Sequence, residues 1–140
     1  MSFYLDASVV VPTLVLQASS LAASGFLRSA ADALLLADFT EGEVASAVSR
    51  LVRMRELTQS QGVAALADFD RWRLAETTPL EIEPADIQDA IRLVRRFELM
   101  LRTPDALHLA IAARSSAALV TLDDRLATAA QAIGLPVHTP

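Results

Sequence analysis

Four acidic residues stand where a predicted strand ends or where a predicted helix begins. They are Asp6, Glu43, Asp105 and Asp123. In an open parallel sheet these places lie along the edge that binds ligands, so we expect the four carboxylates to converge. Converging carboxylates repel one another unless a cation lies between them. Because the chain has no cysteine, an all-oxygen group of this kind favours Mg²⁺ or Mn²⁺, which can activate a water molecule for attack on a phosphodiester.

Each of these acids also has a purely structural explanation. Asp6 and Asp123 can cap the helices that follow them. Glu43 follows Thr40 at the spacing of a capping box, and Asp105 lies in a first helical turn, where a carboxylate favours the helix dipole. Capping explains each acid singly, but it does not explain why the fold should gather four of them. The metal hypothesis therefore depends on their convergence.

The elements that would position the acids follow from apolar runs and helix-start signals. The predicted strands are Phe3–Leu5, Leu34–Leu36, Pro79–Glu83, Ala118–Leu122 and Pro136–His138. The predicted helices are Val9–Leu16, Ser20–Arg28, one that opens at Asp38 or Thr40, one that opens at Thr58 or Ser60, one from Pro84, one from Thr103, and Asp123–Ala132. Because strands alternate with helices, the sequence predicts an α/β fold with a parallel central sheet and helices on both faces.

For two of the predicted helices the sequence also predicts which residues are buried. In the helix from Pro84 the apolar positions expected to be buried are Ile87, Ile91, Val94 and Phe97, and the positions expected to be exposed are Arg92, Arg95 and Arg96. The helix from Thr103 is apolar nearly all round, which predicts that it is buried.

Length and composition limit the class of protein. The 140 residues suit a single domain spanning residues 1–140, and hydrophobic residues make up 53% of them. No apolar run is long enough to span a bilayer, and the opening lacks a basic region and a cleavage site, so we expect a soluble cytoplasmic protein with no membrane association. The net charge of −5 argues against binding nucleic acid by bulk electrostatics. All 12 basic residues are Arg, however, and seven of them fall in two clusters, residues 50–55 and 92–102, which allows a local basic rim.

Four segments of the chain resemble PIN-domain ribonucleases, and specifically the VapC-type toxins of bacterial type II toxin–antitoxin pairs. The matching segments are Tyr4–Ser8, Asp38–Ala47, Arg102–Ala110 and Leu119–Leu126. They occur in the order of the family and extend over most of the chain. The resemblance implies a PIN-like three-layer sandwich and Mg²⁺- or Mn²⁺-dependent endonucleolytic cleavage of RNA. It also implies a homodimer and a cognate VapB-like antitoxin.

The resemblance assigns roles to particular residues. The four acids, Asp6, Glu43, Asp105 and Asp123, match the acidic quartet of the family, whose members bind the metal directly or through water. Ser8 and Thr121 match hydroxyl positions beside the metal site. One of the carboxylates is expected to help deprotonate the attacking water.

Two assignments within the quartet stay open. Glu41 lies two residues before Glu43, and helical phase favours Glu43 because Val44 must face inward beside it. Asp123 is followed by Asp124, and we take Asp123 as the nearer to the strand end.

Other residues attract weaker hypotheses. His108 lies one turn beyond Asp105, and in a buried helix it is better explained as a hydrogen-bonded residue beside the site than as a ligand. Arg50 and Arg102 are the candidates for contact with RNA phosphates. An alternative function is that of a catalytically silent PIN scaffold which acts only by binding a protein. The sequence does not reveal which RNA would be the target.

Overall fold

The fold is centred on a parallel sheet of five strands, and the computed structural model describes residues 1–140. The strands are Phe3–Leu5 (β1), Leu34–Ala37 (β2), Thr77–Leu80 (β3), Ala118–Val120 (β4) and Val137–His138 (β5). Their order across the sheet is β3-β2-β1-β4-β5, and every neighbouring pair is parallel. The chain therefore changes direction across the sheet between β1 and β4, which is the place where open α/β sheets bind ligands.

Seven α-helices and one short 3₁₀ turn surround the sheet. The helices are Ala7–Leu14 (α1), Ser20–Ser29 (α2), Asp38–Arg53 (α3), Gln59–Glu76 (α4), Pro84–Val94 (α5), Thr103–Arg114 (α6) and Asp124–Ala132 (α7), and the 3₁₀ turn is Phe97–Leu99. No helix combines the length and the apolar character needed to cross a membrane. Of the helix starts left open by the sequence, α3 opens at Asp38, and Thr58 caps α4 in a capping box with Gln61.

The alternation of side chains along the strands divides the core into two halves. Tyr4 packs on the side of α5, α6 and α7, whereas its neighbour Leu5 packs on the side of α1 to α4. Leu35 and Leu36 divide in the same way along β2. Both faces of the central strands are thus covered by helices, as expected for a parallel sheet. This arrangement confirms the predicted three-layer α/β fold.

Helix α6 is buried, as the sequence predicts. Seven consecutive residues, from Ala106 to Ala112, are buried. In a helix with so little exposed surface a polar side chain can be buried, and His108 is the polar residue of α6 that lies in the core. The position of α6 therefore brings an imidazole beside the end of β1 and the start of α3.

The predicted burial of α5 is wrong at three positions. Ile87 and Ile91 are 40% and 45% exposed, and Phe97 is 84% exposed because it lies in the 3₁₀ turn beyond the end of α5. The inner face of α5 instead carries Asp86, which is only 1% exposed and pairs with Arg114 of α6. This buried ion pair fixes the rotation of α5 and turns the two isoleucines outward.

The third strand lies earlier than predicted. The apolar alternation indicates a strand over Pro79–Glu83, whereas β3 covers Thr77–Leu80. The partner strand explains the difference, since β2 ends at Ala37, which is paired with Leu80, and α3 begins at the next residue. Beyond Leu80 the chain has no strand left to pair with. Pro79 is tolerated in β3 because this strand lies at the edge of the sheet.

Candidate functional site

Asp6 occupies the switch point of the sheet, directly after β1. The residue is buried, with 7% exposure. Its Oδ2 atom accepts hydrogen bonds from the hydroxyls of Ser8, at 2.5 Å, and Thr121, at 2.8 Å. Its side chain makes no capping bond to α1, so capping does not account for this acid. Two hydroxyl donors therefore hold one oxygen of Asp6 and leave Oδ1 directed elsewhere.

The two hydroxyls form a bridge between the start of α1 and the end of β4. Ser8 Oγ and Thr121 Oγ1 lie 3.2 Å apart. Ser8 Oγ also accepts from the backbone N–H of Leu122 at 2.9 Å, and Thr121 Oγ1 accepts from that of Asp123 at 3.0 Å. Each hydroxyl thus accepts from a backbone amide and donates to Asp6. The bridge fixes the loop after β4 relative to Asp6.

Glu43 reaches the same region from α3. Its Oε2 atom lies 2.5 Å from Nε2 of His108, which comes from α6. The same Nε2 atom lies 3.4 Å from Oδ1 of Asp6. Because α3 begins at Asp38, Glu43 lies in the second turn and takes no part in the capping box that its spacing from Thr40 suggested.

A chain of buried hydrogen bonds holds the other side of the imidazole. The Nδ1 atom of His108 lies 2.8 Å from the hydroxyl of Tyr4. That hydroxyl lies 3.5 Å from Oγ1 of Thr40, which donates to the carbonyl oxygen of Leu5 at 3.2 Å. Tyr4, Thr40 and His108 are all buried. The ring of His108 is therefore held from both of its nitrogens.

The surroundings shift the pKa values of both rings. Burial lowers the pKa of His108, but the hydrogen bond with Glu43 and the charges of Asp6, Glu43 and Asp105 together raise it above its usual value. Burial raises the pKa of Tyr4, and the nearby carboxylates add to this effect, although the hydrogen bond with Thr40 opposes it. The phenol of Tyr4 is consequently neutral over the whole ordinary pH range.

Asp105 lies at the start of α6 and does act as a capping residue. Its Oδ2 atom accepts from the backbone N–H of Arg102 at 3.2 Å, and the Arg102 guanidinium Nε lies 4.0 Å from the same oxygen. Its Oδ1 atom accepts no hydrogen bond within the protein. The side chain is 29% exposed, so this second oxygen is accessible to solvent or to a ligand.

Asp123 likewise caps the helix that it precedes. Its Oδ1 atom accepts from the backbone N–H groups of Arg125 and Leu126, at 2.8 and 3.1 Å. Asp123 and Asp105 line one cavity of about 400 Å³, together with Asp124 and Arg125. Each of these two acids therefore caps a helix and also lines this cavity.

The structure therefore places the predicted site residues in two separate groups. One ligand atom from each of Asp6, Glu43 and His108 lies within 4.8 Å of the others. Asp105 and Asp123 lie outside this group and face the neighbouring cavity. Ser8 and Thr121 hold Asp6, as described above. Of the two RNA-contact candidates, Arg102 lines the cavity and is 89% exposed, whereas Arg50 is exposed on α3.

The alternatives for the second acid separate clearly in space. Glu41 is paired with Arg73 of α4, with Nη1 and Oε1 3.3 Å apart. Glu43 is the acid that meets His108. Asp123 and Asp124 both line the cavity, so the structure does not separate these two in the same way.

The sequence reasoning missed two residues of the site, Tyr4 and Thr40. In the sequence Tyr4 belongs to an apolar strand, and the position of Thr40 predicts a helix cap. The available signal was a hydroxyl in each of the two segments that carry Asp6 and Glu43. Both hydroxyls are buried, where a polar group needs a partner, and His108 supplies that partner to Tyr4.

The group fits a divalent cation by its donor set. Asp6 Oδ1 and the Glu43 carboxylate are hard oxygen donors of the type that Mg²⁺ and Mn²⁺ take, and His108 adds an imidazole beside them. Two carboxylates this close are stabilised by a positive charge nearby. No Arg pairs with either of them, and His108 is the protein group in contact with both.

The comparisons with known proteins agree with this architecture. The VapC20 toxin of Mycobacterium tuberculosis, which cleaves the Sarcin-Ricin loop, superposes with a TM-score of 0.72 at 19% identity, covering 91% of this chain and 94% of that chain. VapBC2 from Rickettsia felis, bound to a DNA fragment from its promoter, gives a TM-score of 0.66 at 13% identity, covering 100% and 99%. A toxin–antitoxin complex from Klebsiella pneumoniae gives 0.61 at 18% identity, covering 86% and 85%.

The sequence itself supplies the assignment to a family. No curated protein matches the chain in sequence. The model of the PIN domain, however, matches residues 3–132, a span that includes all four acids and every strand except β5. This protein belongs to the PIN domain family.

Proposed function

We propose that this PIN-domain protein is a metal-dependent endoribonuclease of the VapC toxin type. The observation that carries the proposal is the meeting of Asp6, Glu43 and His108 within 4.8 Å at the switch point of the sheet. Two hydroxyls hold Oδ2 of the buried Asp6, and its Oδ1 faces His108, which contacts Glu43. This arrangement suits a cation better than it suits helix capping.

The four acids would share the work of the site. Asp6 and Glu43 would hold the ion, Mg²⁺ or Mn²⁺, while Asp105 and Asp123 contribute their remaining oxygens across the cavity, directly or through water. When bound, the ion supplies a water of lowered pKa and neutralises charge on the scissile phosphate. Asp105 Oδ1 accepts no hydrogen bond within the protein and can accept the proton of the attacking water.

Two arginines are placed to contact the RNA backbone. Arg102 stands on the rim of the cavity that Asp105 and Asp123 line. Arg50 follows Glu43 by seven residues on α3, which places it on the same side of the helix about 10 Å further along. Phosphates on either side of the scissile bond can therefore meet a guanidinium although the whole chain is acidic.

The partners follow from the same assignment. The Klebsiella structure is a toxin–antitoxin complex, and VapC20 is a toxin that cleaves the Sarcin-Ricin loop. These similarities support a cognate VapB-like antitoxin and an RNA substrate. We extend the proposal to a homodimer that acts in the cytoplasm. The antitoxin would neutralise the toxin by covering the acidic site.

The test is cleavage of a pool of structured RNAs by the wild type and by Asp105→Asn, with Mg²⁺, with Mn²⁺ or with EDTA. The amide keeps an oxygen for the cap at Arg102 while removing the charge, so the variant should fold. We expect cleavage by the wild type in either metal, loss of cleavage in EDTA, and a large loss in the variant. Equal cleavage by both proteins in EDTA would contradict the proposal. Toxicity of Asp105→Asn in cells equal to that of the wild type would also contradict it.

A further inference from the structure

We propose that Tyr4 and His108 are positioning residues of the site: the Nε2–H of His108 donates to Glu43 and fixes that carboxylate beside Asp6, while Tyr4 holds the imidazole in place. The inference rests on the proposed nuclease function and deepens it. It assigns His108 as a hydrogen-bond donor to a metal-binding carboxylate and not as a ligand of the metal.

The proton on Nε2 follows from the two carboxylates in front of it. Nε2 lies 2.5 Å from Oε2 of Glu43 and 3.4 Å from Oδ1 of Asp6. A nitrogen lone pair in this place would repel both oxygens, whereas an N–H donates to the nearer one. The charged imidazole carries hydrogen on Nε2 as well, so the donor role is the same in both protonation states.

The hydroxyls behind the ring complete the accounting of hydrogens. Thr40 donates its only hydroxyl hydrogen to the carbonyl of Leu5, so it can only accept from Tyr4. The Tyr4 hydroxyl has one hydrogen, and in the neutral site it goes to the nearer contact, Nδ1 of His108 at 2.8 Å, rather than to Thr40 Oγ1 at 3.5 Å, so Nδ1 is bare. A bare Nδ1 in turn requires that the neutral ring carry its hydrogen on Nε2. Tyr4 therefore selects the tautomer that Glu43 needs.

Packing holds the ring in the plane that this geometry requires. Phe39 lies against the imidazole with ring centroids 5.1 Å apart, and Tyr4 lies on another side at 5.7 Å. His108 is only 2% exposed, whereas the side chain of Glu43 is 30% exposed and has no other hydrogen bond. Without His108, the Glu43 carboxylate would be free to turn towards solvent. A rigid donor thus holds a carboxylate that would otherwise be mobile.

A matched pair of variants tests the donor role. In His108→Gln the amide nitrogen reaches the place of Nε2, and in His108→Asn it reaches only the place of Nδ1. We expect His108→Asn to weaken Mn²⁺ binding, measured by calorimetry, by about 10- to 100-fold and to lower kcat more than it changes KM. His108→Gln should recover most of both losses, and Tyr4→Phe should give a smaller loss of the same kind. Thermal unfolding identifies any variant that fails to fold.

A spectroscopic measurement on the wild type decides the issue even if a variant does not fold. Electron spin echo modulation of bound Mn²⁺ reports nitrogen that is directly coordinated. We expect no directly coordinated imidazole nitrogen, and a strong coupling of that kind would make His108 a ligand and overturn the proposal. If the wild type binds Mn²⁺ and cleaves RNA while His108→Asn does both equally well, the positioning role alone fails. A wild type that neither binds nor cleaves overturns the proposed function and this inference together.

Discussion

Thr121 and Asp6 are 115 residues apart in the sequence, and the Thr121 hydroxyl donates a 2.8 Å hydrogen bond to Oδ2 of Asp6. This bond joins the end of β4 to the end of β1, at the point where the order of the strands changes direction. It occupies one oxygen of Asp6 and thereby directs the other towards Glu43 and His108. The orientation of the buried acid is thus set jointly by Ser8, two residues away, and by Thr121 from the far end of the chain.

Removing this donor should weaken metal binding without removing an acid. Thr121→Val keeps the shape of the side chain and loses the hydroxyl, so we expect Mn²⁺ affinity to fall by about 10- to 100-fold. Thr121→Ser, which retains the hydroxyl, is the matched control and should stay close to the wild type. Calorimetric titration measures both. Equal affinities for the valine and serine variants would show that the hydroxyl does not orient Asp6.

The two glutamates at the start of α3 should differ sharply in their effect on cleavage. Glu43→Gln removes a carboxylate from the site, and we expect a loss of cleavage rate of about 100-fold or more, as for other residues that stabilise a transition state electrostatically. Glu41→Gln changes a residue that pairs with Arg73 on α4 and should leave the rate unchanged. The reverse result would assign the site to Glu41.

The arginine hypothesis is tested by the salt dependence of cleavage. Arg102→Ala and Arg50→Ala should each raise the KM for RNA, and each should lower the slope of log KM against log salt by about 0.7 for a lost phosphate contact. The control is Arg28→Ala, because Arg28 lies in the last turn of α2, which leads into the opposite end of β2. A change in the control as large as in the other two would mean that only net charge is being measured.

The ion pair between α5 and α6 should determine stability in a pH-dependent way. Asp86 is buried and accepts two bonds from Arg114, at 2.7 and 3.0 Å. Burial alone raises the pKa of Asp86, but the hydrogen bonds and charge of Arg114 outweigh it and lower the pKa below its usual value. Arg114→Met leaves a buried carboxylate without its partner, so we expect a loss of about 3 kcal/mol in the free energy of unfolding at neutral pH.

The sign of the pH effect follows from the direction of that shift. A lowered pKa means that Asp86 stabilises the wild type above its unfolded pKa, and that this contribution is lost as the pH falls through the folded value. In Arg114→Met burial dominates, so protonation relieves the cost. Denaturant unfolding at neutral pH and near pH 3 should therefore show a smaller difference between the two proteins in acid. A difference that is constant with pH would remove Asp86 from the explanation.

The sequence predicted the fold class well because the signals for it are local. Short apolar runs marked β1 and β2, and Thr58 marked the start of α4, which it does cap. The rotation of α5 was not predictable in this way. Periodicity placed Ile87 and Ile91 inside, whereas the contact of Asp86 with Arg114, 28 residues away, places them outside. Because the rotation of α5 about its axis depends on a residue of another helix, the apolar pattern of α5 alone does not predict it.

The candidate site was predictable to a similar degree. Strand ends and helix starts predicted that Asp6 and Glu43 would approach each other, because parallel strands share one edge. The prediction of Asp123 as a helix cap is confirmed, but strand ends and helix starts did not separate Asp105 and Asp123 from the group of Asp6, Glu43 and His108. Nor did they reveal Tyr4, whose hydroxyl matters only because α6 brings His108 beside it. Contacts between side chains from three different elements are a property of the packing and not of any one segment.

The most direct test of the account is titration of Mn²⁺ into the wild type and into Asp6→Asn, followed by RNA cleavage in the same samples. The asparagine keeps an oxygen that can accept from Ser8 and Thr121, so the variant should fold while losing the charge. We expect the wild type to bind Mn²⁺ and to cleave RNA, and the variant to do neither. Binding and cleavage by Asp6→Asn at the level of the wild type would contradict the assignment of this site.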